Sequence, residues 1–129
     1  MTRSRQAATM SIALAAAFGL SACTGGKIAR AYTVETGGTP ARGARYIVMK
    51  NCGSCHVIPG IEGAHGVVGP PLYFFSRRTY IAGEVANSPE NLVRWIVNPQ
   101  SIEPHTAMPN LGVTQEQARD IAAYLYTIR

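Results

Sequence analysis

Cys52, Cys55 and His56 stand within five residues, in the order Cys-Gly-Ser-Cys-His. Two thiols at this spacing can act as a redox pair, share a metal ion, or bond covalently to a prosthetic group. A redox pair wants a strand before it in a βαβ unit, whereas the stretch before Cys52 reads as helix. A zinc site needs two more ligands at matching spacing, and only His65 and His105 remain, with no second Cys-x-x-Cys. The third option uses all three residues at once, because Cys-x-x-Cys-His is the attachment word for c-type haem. Two thiols on one turn reach two vinyl groups on one edge of the porphyrin. The imidazole of the next residue then faces the iron, for which neutral imidazole is a common ligand. The expected cofactor is therefore one haem c, held through Cys52 and Cys55, with His56 as a metal ligand.

Such a group needs a scaffold, and three helical segments can be read. The first runs over 41–51, with Ala44, Ile47 and Val48 spaced as one apolar face. The second opens at Ser88-Pro89, an N-cap followed by a proline at the first helical position, with Glu90 suiting the dipole. Leu92, Trp95 and Ile96 form its stripe, and Asn98-Pro99 ends it. The third starts with Thr114-Gln115-Glu116-Gln117, a capping-box pattern. Ala118, Ile121, Ala122, Leu125 and Ile128 then recur at helical spacing. Long turn-rich stretches, Pro59 to Pro71 and Pro99 to Gly112, are unusual in a small domain unless they wrap something. The expectation is an all-α domain over 41–129, with three to five helices around one haem and a core too small to stand easily without it.

The rest of the chain reads as an address. At 129 residues, with 47% apolar and 15% charged residues, it has room for one domain and is not disordered. Three cysteines are too few for a disulfide-built scaffold. Arg3 and Arg5, then the uncharged run Ala7 to Leu20, then Leu20-Ser21-Ala22, make residues 1–22 a secretory signal peptide. Cys23 after Leu-Ser-Ala resembles the lipobox of bacterial lipoproteins, which implies a lipid on Cys23. Residues 23–40, rich in Gly and Thr and without periodicity, read as a flexible tether. Without residues 1–22, the formal charge of +5 falls to +3, ten basic against seven acidic side chains. No basic cluster with interleaved aromatics survives, only Arg77-Arg78, so nucleic-acid binding is excluded.

An exported chain with this haem word after an N-terminal helix, and an amphipathic last helix, resembles a class I cytochrome c over nearly the whole mature domain. Val68-Gly69-Pro70-Pro71-Leu72 is similar to the family's Gly-Pro-x-Leu element, which implies that the Pro70 carbonyl accepts the Nδ1–H of His56. Thr106-Ala107-Met108-Pro109 resembles the distal-ligand loop and implies Met108 as the second axial ligand, with a raised potential. His65 and His105 are the competing ligands, and Met49 is expected in the core. Asp120-Ile121-Ala122-Ala123-Tyr124-Leu125 is similar to the last helix and implies a crossing of Tyr124 against Gly43 or Ala44. The resemblance further implies that one of Arg77 or Arg78, together with Tyr80, serves the haem propionates, and that Trp95 packs on the haem. Ile58 to Gly66 also resembles the small cytochrome domains found with bacterial haem–copper terminal oxidases.

The function implied is a monohaem electron carrier, not an enzyme, lipid-anchored on the periplasmic side of a bacterial membrane, with no small-molecule substrate. Its partners would be redox proteins of the respiratory chain, with a terminal oxidase as acceptor. Val67, Val68, Leu111 and Val113 would ring the surface where they dock. The alternatives are a sensor, ligand binder or peroxidase-like enzyme with an open distal site, or a fixed subunit of an oxidase assembly.

Overall fold

The computed structural model describes residues 34–129. The expected signal segment, residues 1–22, and the lipidation residue Cys23 lie outside them. Three helices carry the fold: α1 (Pro40–Met49), α2 (Pro89–Val97) and α3 (Gln115–Leu125). Short 3-10 turns lie at Cys52–Ser54, Phe75–Arg77 and Pro99–Ser101. The all-α expectation gains one element, a small antiparallel hairpin of β1 (Tyr80–Ile81) and β2 (Val85–Ala86), in the register Tyr80↔Ala86 and Ile81↔Val85. Its turn passes through Ala82 and Gly83, both with φ near the left-handed region at +53° and +80°, the signature of a tight hairpin turn. Among the described residues no helix is long and apolar enough to cross a membrane.

Helix α1 has Pro40 at its start, where a missing N–H is no loss. It ends at Met49, before the expected residue 51, because Asn51 turns left-handed at φ +54° and opens the turn that carries the two thiols. Asn is one of the few residues that adopts this conformation at low cost. The expected apolar face is also turned. Gly43 and Ile47 are buried, Ala44 is half-buried and Val48 is 61% exposed. Met49, expected in the core, is 71% exposed, because it follows Val48 on the outward side of the last turn.

Local chemistry fixes the other two helices as expected. Ser88 Oγ accepts from the Asn91 N–H at 3.3 Å, with Pro89 next in line. At α3 the capping box is complete: Thr114 Oγ1 accepts from Gln117 N–H at 3.2 Å, and Gln117 Oε1 accepts from Thr114 N–H at 3.1 Å. Leu92, Val93 and Ile96 of α2 and Ala118, Ile121, Ala122 and Leu125 of α3 join Ile47 in one core.

Helices α1 and α3 meet at Gly43. A Cβ there would overlap the carbonyl of Asp120 and touch Tyr124 Cβ, so glycine is what permits the close approach. Asp120 is fully buried beside this crossing and accepts from Thr39 N–H at 2.6 Å and from Arg42 Nε and Nη2 at 2.8 and 2.9 Å. The Arg42 hydrogen bond holds its carboxyl below the usual carboxylate range, and the Thr39 N–H adds to this. Thr36, itself buried, donates to the Arg119 carbonyl at 3.0 Å. Residues 36–40, expected as the end of a tether, are thus bound to α3, because a buried carboxylate needs donors and this segment supplies one of them.

The C-terminal turn is tied in a second place. Tyr126 packs edge-to-face on Phe75, with ring centroids 5.9 Å apart, and donates to Asn87 Oδ1 at 2.8 Å. Asn87 Nδ2 donates in turn to the carbonyls of Phe75 and Arg78, at 3.1 and 3.0 Å. Burial, helped by Glu90, pushes the Tyr126 phenol up to about 12.

Candidate functional site

The turn after Asn51 is tight enough to bring Cys52, Cys55 and His56 to one wall. Cys55 and His56 N–H both donate to the Cys52 carbonyl, at 3.3 and 3.1 Å. Three residues beyond Gly66, the Gly69 N–H returns to the Cys55 carbonyl at 2.8 Å. This brings the backbone flat against the imidazole, and a Cβ at Gly69 would overlap the His56 ring. His56 Nδ1 then lies 2.8 Å from the Pro70 carbonyl oxygen. A carbonyl only accepts, so Nδ1 carries the proton and Nε2 keeps its lone pair.

These residues line a cavity of about 600 Å³. Its walls are mostly apolar, with Ile47, Leu92, Ile96 and Leu125 from the helices and Phe75 and Ile81 from the segment between α1 and α2. That volume lies inside the usual range for small-molecule and cofactor pockets. Met108 lines the same cavity from the segment between α2 and α3. Its backbone is held at both ends, the N–H donating to Thr106 Oγ1 at 3.2 Å and the carbonyl accepting from Gln100 Nε2 at 2.8 Å.

Of the other residues singled out in the sequence, Pro70, Arg78, Tyr80 and Trp95 also line the cavity. Arg78 donates to the carbonyls of Pro71 and Tyr73, and its guanidinium carbon lies 5.6 Å from the Phe75 ring centre. Arg77 is not on the wall; it is exposed, with its guanidinium 5.9 Å from the Phe74 ring centre. The 3-10 turn at Phe75–Arg77 sends the two neighbours in different directions. His65 and His105 are exposed and line no part of the cavity. Val67 and Val68 are 87% and 74% exposed and Leu111 is 37% exposed, but Val113, expected beside them, is 5% exposed and packs in the core.

The donor set fits a covalently held haem better than its rivals. Burial raises the Cys52 thiol above its ordinary range, the reverse of what an attacking thiolate needs. Among the described residues no three of His, Cys, Asp or Glu converge as a metal-binding group. Two thiols, an imidazole with its tautomer fixed and a thioether in one apolar cavity match the parts that a c-type haem takes from a protein. Several wall residues carry no signal of their own in the sequence. Why position 69 of the Gly-Pro-x-Leu match must be glycine shows only once the His56 ring lies on it. Lys50 acts on backbone carbonyls 61 and 62 positions away, and Thr106 on the Met108 N–H inside a loop with no period to read.

The comparisons with known proteins agree with this geometry. Cytochrome c oxidase subunit 2 of Alkalihalophilus pseudofirmus is 33% identical over 93 residues, which is 70% of this chain and 26% of that one. The subunit 2 of Bacillus subtilis is 31% identical over 87 residues, 66% of this chain and 24% of that one. The chain thus spans about a quarter of the length of these oxidase subunits. Cytochrome c of Theileria annulata is 36% identical over 100 residues, 68% of this chain and 84% of that protein. The family model described as Cytochrome c matches residues 40–129, the whole of the helical domain, and the chain belongs to the cytochrome c family.

Proposed function

We propose that this protein is a monohaem electron carrier that passes single electrons between respiratory partners, with His56 and Met108 as axial ligands. Family membership supports haem-based electron transfer. The observation that carries the finer reading is the convergence of Cys52, Cys55, His56 and Met108 on one apolar cavity, with His56 Nδ1 on the Pro70 carbonyl. Bound there, haem iron supplies reversible one-electron chemistry between Fe(II) and Fe(III).

The chain's own residues have separate tasks. Cys52 and Cys55 would hold the group through thioethers, and His56 Nε2 and Met108 Sδ would fill the two axial positions. Pro70 fixes the imidazole tautomer and raises its basicity. Gln100 and Thr106 keep Met108 at the wall. Arg78 and Tyr80, both on the cavity wall, would supply donors for negatively charged propionates, and Trp95 with the apolar wall would exclude water, which favours the reduced iron. With His56 and Met108 both given to the iron, no ligand position would be left for a substrate, and the domain would move electrons without making bonds.

The oxidase subunits among the relatives support a terminal oxidase as acceptor, reached through the exposed Val67, Val68 and Leu111. Export by residues 1–22 and a lipid on Cys23 would place the domain on the periplasmic side of the membrane. The test is the absorption spectrum of the purified haem-loaded protein. The expected result is a weak ferric band near the infrared edge from the sulfur–iron bond, lost in Met108→Ala. If that band is absent and the reduced protein binds CO at once, the distal site is open and the sensor or enzyme reading replaces the carrier.

A further inference from the structure

The segment that carries Met108 has little of its own to hold it. Among the described residues, no backbone N–H or C=O from Ala107 to Val113 pairs with another backbone group. Such a stretch belongs to the low-stability end of a fold unless side chains fix it. Three of its ties come from within the same connection between α2 and α3: Gln100 Nε2 to the Met108 carbonyl, Thr106 Oγ1 to the Met108 N–H, and Asn110 Oδ1 to the Gly112 N–H at 2.9 Å. The fourth comes from elsewhere. Lys50 Nζ donates to the Gly112 carbonyl at 3.0 Å and to the Leu111 carbonyl at 3.4 Å, across 62 and 61 positions of sequence.

We propose that Lys50 is a positioning residue for the distal ligand, tying the segment that carries Met108 to the end of α1 from which the thiol-bearing turn departs. Lys50 is the C-cap of α1 and lines the cavity, two residues before Cys52. It is the only lysine among the described residues. An ammonium has three donors and no acceptor, so it can serve two carbonyls at once. The negative end of the α1 dipole also favours a cation there. Through this one side chain the wall that holds His56 and the wall that holds Met108 become a single unit, and release of Met108 requires the lysine contacts to break. The inference rests on the His56/Met108 reading above.

The experiment uses the full-length haem-loaded ferric protein, as wild type, Lys50→Gln, Lys50→Arg and Met108→Ala, titrated with imidazole. Imidazole competes with Met108, and its entry is read as loss of the sulfur–iron band. Lys50→Gln is expected to raise both the apparent imidazole affinity and the entry rate about five-fold, the size of one partly exposed charge-assisted hydrogen bond. Lys50→Arg, with donors that can reach the same carbonyls, returns both to within about two-fold of wild type. The proposal is overturned if Lys50→Gln and wild type coincide, or if Lys50→Arg is as open as Lys50→Gln. It is equally overturned if Lys50→Gln lowers the denaturation midpoint while imidazole entry is unchanged. A wild-type protein without the band, or a band that survives in Met108→Ala, sinks the His56/Met108 reading first and this proposal with it.

Discussion

Replacing Tyr126 by Phe should make the protein less stable at neutral pH and more stable than wild type in strong alkali. The ring keeps its edge-to-face contact with Phe75, so only the hydroxyl and its bond to Asn87 Oδ1 are lost. One neutral hydrogen bond with a part-buried partner left unpaired is worth about 1 kcal/mol. Against this stands the titration of the phenol, raised by burial to about 12 in the folded protein, from roughly 10 in the unfolded chain. The folded value lies above the unfolded one, so the unfolded chain ionises first. The phenol's contribution is whole below pH 10 and falls as pH rises through the folded value. Each pH unit in that window removes up to about 1.4 kcal/mol from wild type and nothing from the variant. The 1 kcal/mol advantage is therefore spent near pH 11, where the two stability curves cross. Urea unfolding followed by circular dichroism at pH 7, 9, 10 and 11 reads this directly. Parallel curves without a crossing would mean that the Tyr126 hydroxyl is hydrated in the folded protein, and the buried tie between the C-terminal turn and Asn87 would be refuted.

Asp120→Asn should lower the melting temperature at pH 7 by roughly 5 °C or more. The carboxyl is depressed by Arg42, so its contribution is present above the unfolded value near about 4 and is lost as pH falls through the folded one. Calorimetry of the two proteins at pH 7 and pH 2.5 should show a gap that is smaller at the lower pH, and an equal gap at both would refute the role of the charged carboxyl. Gly69→Ala should push the His56 ring off the Pro70 carbonyl, costing about 2 kcal/mol of stability from overpacking. The displaced ring would be seen as a changed His56 Nδ1–H resonance in proton NMR, and an unchanged resonance would refute the close approach.

What the sequence made legible is what depends on neighbours in the chain. Ser88 and the Thr114/Gln117 pair cap their own helices, so the starts of α2 and α3 could be placed to the residue, whereas the helical spacing read on to Ile128 overran α3, which ends at Leu125. The thiol and imidazole spacing is likewise local. The end of α1 was not legible, because the left-handed Asn51 is demanded by the turn that follows rather than by the helix before it. Two-residue strands have no period to read, which hid the hairpin. Adjacent Arg77 and Arg78 are equivalent as letters, and only the direction of the backbone at 75–77 sends one to the cavity and the other to Phe74. Val113 and Met49 traded the environments expected of them for the same reason: burial in loops and last helical turns is settled by what packs against them from far along the chain.

The crossing of α1 and α3 also sets an order of events in the making of the protein. Arg42 and Asp120 are 78 positions apart, so the contact that seals the domain joins its first helix to its last. Closing so long a loop loses chain entropy before any contact across it is gained, and the contact has to wait until residue 120 is present. A chain delivered from its N-terminus presents Cys52, Cys55 and His56 well before residue 120 has emerged. Until α3 arrives, Ile121 and Leu125 are missing from the cavity wall and the two thiols lie on an open segment. Until then the thiol-bearing turn is open on the side that α3 will cover, and the arrival of Ile121 and Leu125 completes the wall around Cys52 and Cys55.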